Sequence, residues 1–467
     1  MPDNKGTYDT KNAVHIKLDA IVNLMGCQGV DKIYIKKLAP NDNSKNQPYF
    51  GFHLTDLPFI PTGPMEASQS TSSKTSNKNR QIKYQTSIKL KWIDAEASVY
   101  PAPHAKLIYY PQYPEVRFSG FLRGSQVELS RWMSPEKQGR AEGRWLILGV
   151  DKERESICAY LATPESSLSK ELEQTKLTRT TNIFYEIDVR HRSTVIDTKA
   201  ALLQKLSDIH KMGWVSGRKL NKDMTTQPYK AQNGGGYTLE ALLGISPNGI
   251  AEPDYLGWEV KQFGIKEFPI KSAKPTTLMT PEPNGGVYTV DGAIEFVRRF
   301  GYPDKSGKPD RLNIGGKHVA GRECVSTKLS LIIDGFDGEE GKITKAAGAI
   351  TLIDSVGTIA ASWSFEKIMD HWKRKHSQAV YIPCKMKQPS TGERFYHYGS
   401  EVELGIGTDF EMFLSAMFSG HVYYDPGIKL EKDSTEKPII KRRSQFRVNH
   451  RHLKALYKNL EFINIVT

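Results

Sequence analysis

The stretch Glu252-Pro253-Asp254-Tyr255-Leu256-Gly257-Trp258-Glu259-Val260-Lys261 sets two carboxylates five residues apart, with an amine two residues beyond the second. Trp258-Glu259-Val260-Lys261 reads as a short strand, so alternation puts Glu259 and Lys261 on one face. Asp254 arrives from the preceding turn or strand end. Carboxylates held this close repel each other unless a cation sits between them, and hard oxygen ligands with open positions suit Mg²⁺. Asp254 and Glu259 are therefore the expected metal ligands. A bound Mg²⁺ polarises a phosphate and lowers the pKa of an attacking water. Lys261 then orients that water or stabilises the charge that develops on the phosphate. The chemistry that needs this set is phosphodiester hydrolysis.

Spacing does not decide the matter, since average composition produces Asp-x4-Glu-x-Lys in roughly one chain in ten of this length. A near copy, Asp334, Glu340 and Lys342, lies in Ile333-Asp334-Gly335-Phe336-Asp337-Gly338-Glu339-Glu340-Gly341-Lys342. Its two Asp-Gly steps signal a tight turn, and it reads as a solvated hairpin tip. The first segment differs in having a helix just upstream. Gly234-Gly235-Gly236-Tyr237 reads as a flexible lead-in and Thr238 as the N-cap, with Leu239, Leu242 and Leu243 forming an apolar face before Gly244. Glu240 then falls in the first turn. There it either complements the helix dipole or reaches the metal site as a third acid.

A chain of 467 residues is long enough for two or more domains. A net charge of +13 and a pI near 9.2 point to a polyanionic partner such as nucleic acid. Cys27, Cys158, Cys324 and Cys384 are far apart, with no CxxC pair. They form neither a zinc site nor a disulfide framework, and they suit a reducing cytoplasm. The opening residues show no signal peptide, and no apolar run approaches membrane-spanning length.

Strand-like runs dominate the first part: Lys32-Ile33-Tyr34-Ile35-Lys36, Tyr49 to Leu54, Ile88 to Trp92, Lys106 to Tyr110, Val116 to Phe118, and Trp145 to Val150. Residues 67–81 are polar and read as a loop. Residues 165–181 read as a polar helix or linker. A helix begins near residue 197, with Ala200, Leu202, Leu203, Leu206 and Ile209 on one broad face. The expected organisation is a β-rich module over 1–165, a linker over 166–200 and a second domain over 201–467.

The second domain resembles a known family. Tyr237-Thr238-Leu239-Glu240-Ala241-Leu242-Leu243, then Pro253-Asp254 and Glu259-Val260-Lys261, are similar to the catalytic core of the MvaI/BcnI restriction endonucleases, which are MutH-like members of the PD-(D/E)XK nucleases. The resemblance continues through Ser362-Trp363-Ser364-Phe365-Glu366, a basic helix, and the strand Ala379-Val380-Tyr381-Ile382. It ends with Gln445-Phe446-Arg447-Val448-Asn449 and Phe462-Ile463-Asn464-Ile465-Val466. It implies an α/β PD-(D/E)XK fold for the C-terminal domain. It implies catalytic roles for Asp254, Glu259 and Lys261, and it turns the reading of Glu240 toward the metal site. Arg447 matches a base-reading arginine of that family. An arginine expected near His421-Val422-Tyr423-Tyr424-Asp425 is missing. Lys441-Arg442-Arg443 is a candidate for phosphate contact, although such a triplet is more commonly a plain surface run.

The first domain resembles another family in patches. Ile35-Lys36-Lys37-Leu38-Ala39-Pro40-Asn41-Asp42 is similar to the start of the effector-binding domain of EcoRII, a DNA-binding pseudobarrel of the plant B-three type. Tyr109-Tyr110 with Glu115 and Arg117 resembles that domain's second recognition arm. Arginine can contact guanine with two hydrogen bonds and glutamate can accept from cytosine N4. Lys36, Lys37, Asn41, Asp42, Glu115, Arg117 and Arg123 are thus DNA-contact candidates, against an ordinary solvated turn and hairpin.

Together these likenesses imply a type II restriction endonuclease, of the IIE class, that acts as a monomer on double-stranded DNA. The implied site is CCWGG, with CCSGG as the alternative. One active site would nick the strands in turn while the N-terminal module holds a second copy of the site. A cognate methyltransferase would belong to the same system. A MutH-like strand-nicking repair enzyme and a non-catalytic DNA-binding protein are the competing readings. The complete Asp-Glu-Lys set speaks against the latter and the N-terminal reader against the former.

Overall fold

Strand propensity in the first two hundred residues is realised as two sheets. The computed structural model describes residues 15–40, 47–70, 81–127, 129–133, 139–181, 183–189, 198–221, 223–246, 254–390 and 392–466. The chain divides into two compact units, Met1–Ile196 and Asp197–Thr467.

In the first unit a seven-stranded sheet runs Thr178–Arg179, Tyr185–Asp188, Lys32–Leu38, Arg144–Asp151, Ser156–Ala162, Leu90–Ile93, Val99–Ala102. Every residue of Arg144–Asp151 is buried, as the near-continuous apolar run requires. A five-stranded sheet runs Tyr49–Gly51, Glu115–Ser119, Lys106–Tyr110, Gln81–Ser87, Met65–Ser70. Phe118 stacks between Phe50 and Phe121, with ring centroids 4.8 and 4.6 Å away. Arg144 is buried but satisfied, donating to the carbonyls of Ala141, Trp132 and Ala39 at 2.8–2.9 Å. Burial pulls its pKa to about 10, so it stays charged at neutral pH.

Two expectations change here. The strand read as Lys32 to Lys36 runs on through Lys37 to Leu38, because pairing with Arg144–Asp151 continues that far. The stretch read as a polar helix or linker holds a helix, and a strand follows it. Ser167–Gln174 is a helix capped by Ser166 with Leu168 and Leu172 buried, and Tyr185–Asp188 pairs with Lys32–Ile35.

The second unit centres on a mixed sheet ordered Val215–Ser216, Phe395–Tyr398, Gln378–Lys387, Glu401–Ile406, Asn459–Asn464. Glu259–Ile265 joins it by parallel pairing with Gln378–Lys387, Glu259 opposite Ala379 and Lys261 opposite Tyr381. The helices Thr198–Lys211 and Gly234–Leu242 cover the sheet through Leu202, Leu206, Ile209 and Leu239, packed with Trp258, Val260, Val380 and Ile382. Smaller sheets carry the rest. One of them sets Phe446–Val448 between Thr276–Met279 and Val422–Tyr424.

Thr238 is not an N-cap. The helix starts at Gly234, and the Thr238 hydroxyl, inside it, accepts from the Arg218 amide at 3.1 Å. Gly234 is there for close approach: a Cβ on it would stand 2.5 Å from the Tyr396 hydroxyl, and the Tyr398 hydroxyl donates to the neighbouring Gly235 carbonyl at 2.7 Å. Packing overrides glycine's poor helix propensity. The near copy of the motif is a hairpin of Phe336–Asp337 with Lys342–Ile343. Its Glu340 and Lys342 are exposed and pair with each other at 3.0 Å. Among the described residues, no helix is long and apolar enough to cross a membrane.

Candidate active site

The Glu259–Ile265 strand is positioned by a tight turn before it. Tyr255 and Trp258 close that turn with paired backbone bonds of 3.0 and 2.8 Å, and Leu256 and Gly257 adopt positive φ inside it. The turn throws Asp254 back along the strand, where its Oδ2 accepts from the Val260 amide at 3.0 Å. Alternation then brings Glu259 and Lys261 to the same side, and the Lys261 ammonium donates to Glu259 Oε1.

Glu259 has no solvent exposure. Its Oε1 is also approached by the Lys375 ammonium at 3.7 Å. Its Oε2 is buried and meets no hydrogen-bond donor. Burial holds the Glu259 carboxyl above its ordinary range, against the pull of Lys261, and Asp254 adds to the rise. Burial works to lower the Lys261 pKa, but Glu259 and Asp254 more than offset it, and the ammonium is held above its usual value.

Glu240 lies near the C-terminal end of its helix because the helix begins at Gly234. An acid there is misplaced for the helix dipole, which removes the bland reading of this residue. Burial pushes its pKa up to about 7, with Asp254 and Glu259 adding to the rise and Lys261 and Lys375 opposing it. Glu240, Asp254, Glu259 and Lys261 thus share one electrostatic site. Three carboxylates share it with two ammoniums, and burial first, then the neighbouring carboxylates, raises the Glu240 and Glu259 pKa values.

Lys375 is a site residue that the sequence reading passed over within its "basic helix". It ends the helix Phe365–Lys375, whose buried apolar residues include Phe365, Ile368, Met369 and Trp372. That stripe continues to positions 375 and 376, which hold Lys and His instead of apolar residues. The break in the stripe is the signal that was available. His376 is fully buried, and its pKa is driven well below normal by burial first and by Lys261 next. It is therefore neutral. Its Nε2 donates to the Leu278 carbonyl at 3.1 Å, while Nδ1 lies 3.4 Å from the Tyr457 hydroxyl.

The DNA-contact candidates are placed as follows. Arg447 is on the central strand of its three-stranded sheet, gripped by Asp425 at 2.7 Å and by the Pro275 carbonyl at 2.8 Å. Lys441 ends the strand Ile439–Lys441 and pairs with Glu431 at 2.8 Å; Arg442 and Arg443 follow it, exposed. In the first unit, Glu115 and Arg117 form an ion pair at 2.5 Å, and the Arg117 guanidinium lies over the Tyr110 ring at 5.3 Å. Arg123 is exposed in a turn. Lys37 pairs with Glu173 at 2.7 Å. Burial draws the Lys36 pKa down to about 8. Asn41 and Asp42 lie outside the described residues.

Residues 203–457 match the model of the MvaI/BcnI restriction endonuclease family. Two solved structures are similar over 58% of this chain. A restriction endonuclease MvaI–cognate DNA substrate complex matches at 19% identity and a TM-score of 0.43, with 100% of its chain covered. Restriction endonuclease MvaI in the absence of DNA matches at 16% identity and a TM-score of 0.32, with 99% covered. Comparison with curated proteins gives no match. The protein is a site-specific type II deoxyribonuclease. It belongs to the MvaI/BcnI restriction endonuclease family.

Proposed function

We propose that Glu240, Asp254 and Glu259 hold Mg²⁺ and that Lys261 serves the reacting phosphate. The carrying observation is Glu259: a fully buried carboxylate with one oxygen on Lys261 and the other without a partner. An all-oxygen donor set short of positive charge fits a hard divalent cation. When bound, Mg²⁺ would supply Lewis acidity at the phosphate and a water of lowered pKa. The protein's own part is positioning. The Val260 amide fixes Asp254 against the strand, the sheet fixes Glu259, and Glu259 orients the Lys261 ammonium. That ammonium can donate to the attacking water or to the oxygen on which charge develops. Cleavage of defined DNA tests this directly: full activity of Glu259→Ala in Mg²⁺ would sink the assignment.

We further infer that the first unit is an EcoRII-like pseudobarrel that binds a second copy of the site, and that the site is CCWGG. Two pinned guanidiniums support a base-reading role. Arg117 is held by Glu115 and Tyr110, and Arg447 by Asp425 and the Pro275 carbonyl. A pre-oriented guanidinium loses less freedom when it forms the paired bonds to guanine. Arg123, Lys441, Arg442 and Arg443, being exposed, suit phosphate contact. Lys36 is half-buried in its strand, whereas Lys37 is exposed and paired with Glu173. A monomer with one such centre cuts the two strands in turn, alongside a cognate methyltransferase in the cytoplasm. Plasmids with no site, one CCWGG, two CCWGG or CCSGG distinguish these readings; a nicked intermediate is expected on CCWGG.

A further inference from the structure

We propose that Lys375 is a built-in counter-ion of the carboxylate site, one that occupies Glu259 in the metal-free protein and competes with the metal for it. The inference rests on the reading of Glu240, Asp254 and Glu259 as a metal site, and it assigns that site a resident competitor.

The two lysines at Glu259 are not equivalent. Lys261 leaves the same strand two residues on, and its ammonium donates directly to Oε1. Lys375 comes from another element, the last residue of the helix Phe365–Lys375, and its ammonium stops 3.7 Å from the same oxygen. That distance is an ion pair without a short hydrogen bond. Its side chain is 26% exposed, whereas Glu259 is sealed. A long flexible stem at a helix end can withdraw toward solvent, which a strand residue locked beside its partner cannot do. The helix also ends there, so the negative end of its dipole favours an ammonium in place.

Charge explains why a second ammonium is present. With Lys261 alone, the clustered carboxylates would carry more negative charge than one ammonium offsets next to a buried oxygen, a costly state in a low-dielectric setting. Lys375 reduces that excess. A divalent cation drawn to Glu259 supplies that compensation itself and repels the ammonium, so one of the two must give way. Lys375 is the one with somewhere to go. It therefore sets metal affinity below what the carboxylates alone would give, while keeping the empty site folded.

Calcium titration of the full-length protein, followed by calorimetry or by the rise in melting temperature, tests this without reading cleavage. Lys375→Met keeps the stem and removes the charge. It is expected to bind Ca²⁺ about tenfold more tightly and to melt earlier than wild type in chelator. Lys375→Arg is expected to return affinity toward wild type. Glu259→Ala serves as the reference. If Glu259→Ala leaves Ca²⁺ binding unchanged, the metal-site reading itself fails. If Glu259→Ala weakens binding while Lys375→Met leaves it unchanged or weakens it too, the counter-ion assignment is overturned. A merely structural role for Lys375 would lower the melting temperature with and without Ca²⁺ alike and leave affinity where it was.

Discussion

At the scale of single residues, the shortage of positive charge at Glu259 has measurable consequences. Lys261→Ala should cut the cleavage rate by roughly 10²–10³-fold, the typical loss for one charge-stabilising donor. DNA binding by Asp254→Ala should survive, because losing a carboxylate makes the surface more attractive to phosphate. Glu240 adds a pH dependence. Its folded pKa of about 7 stands above the unfolded value of 4.5. The folded protein thus holds a proton that the unfolded chain has lost. Stability from this group is complete below the unfolded value and disappears as pH rises through about 7. Melting curves in chelator should show stability falling between pH 5 and 7.5, and Glu240→Gln should flatten that slope. An unchanged slope would mean that Glu240 is not the group responsible. The Asp-Glu-Lys set was legible in the sequence because one turn and one strand carry all of it. Lys375 was not, because it reaches Glu259 from a separate helix and spacing says nothing about such a meeting.

At the scale of elements, the Gly234–Leu242 helix gives a clean pair of tests. A Cβ at Gly234 meets the buried Tyr396 ring, whereas one at Gly236 meets nothing within 4 Å. Gly236→Ala should stabilise by about 0.5–1 kcal/mol through reduced unfolded-state freedom. Gly234→Ala should destabilise by about 1–3 kcal/mol through overpacking. Denaturant unfolding would check both; stabilisation by each alike would mean that the glycines are there for flexibility and not for close approach. The sequence reading placed this helix but misjudged its start. Glycine propensity argued for a lead-in, and the contact with Tyr396 and Tyr398 that reverses the argument is non-local. Lys37 shows the same limit: the strand-like pattern stops at Lys36, and the ladder with Arg144–Asp151 carries the strand past it.

At the scale of the whole molecule, the basic excess predicts steep salt dependence. Neutralising about 6–10 phosphates would cost roughly 10³–10⁵ in affinity between 50 and 200 mM salt. Filter binding at stepped salt reads the slope; a shallow one would mean few phosphate contacts. The two-unit division predicts separable activities. A chain starting at Asp197 should cut DNA but lose any preference for two-site substrates, since the gain from a tethered second reader is effective concentration. Glu115→Ala with Arg117→Ala in the full chain should imitate it. Equal dependence on site number in the truncated and full-length proteins would remove the effector role from the first unit. Charge and strand pattern announced two units and a polyanionic partner. The strand Tyr185–Asp188 was hidden, because its pairing with Lys32–Ile35 is non-local and its own sequence does not announce it.

The parallel ladder between Glu259–Ile265 and Gln378–Lys387 also sets a clock. The strand bearing Glu259 and Lys261 has that later strand as its neighbour, so a ribosome that has just delivered the nuclease motif has not delivered the scaffold that seals it. At about 5–20 residues per second, the intervening stretch takes on the order of ten seconds to synthesise. During that interval the strand that pairs with the motif is missing. Stalled chains that end before Gln378 should therefore neither protect the motif from proteolysis nor cut DNA. The order of the strands postpones assembly of the site until Gln378–Lys387 has been made.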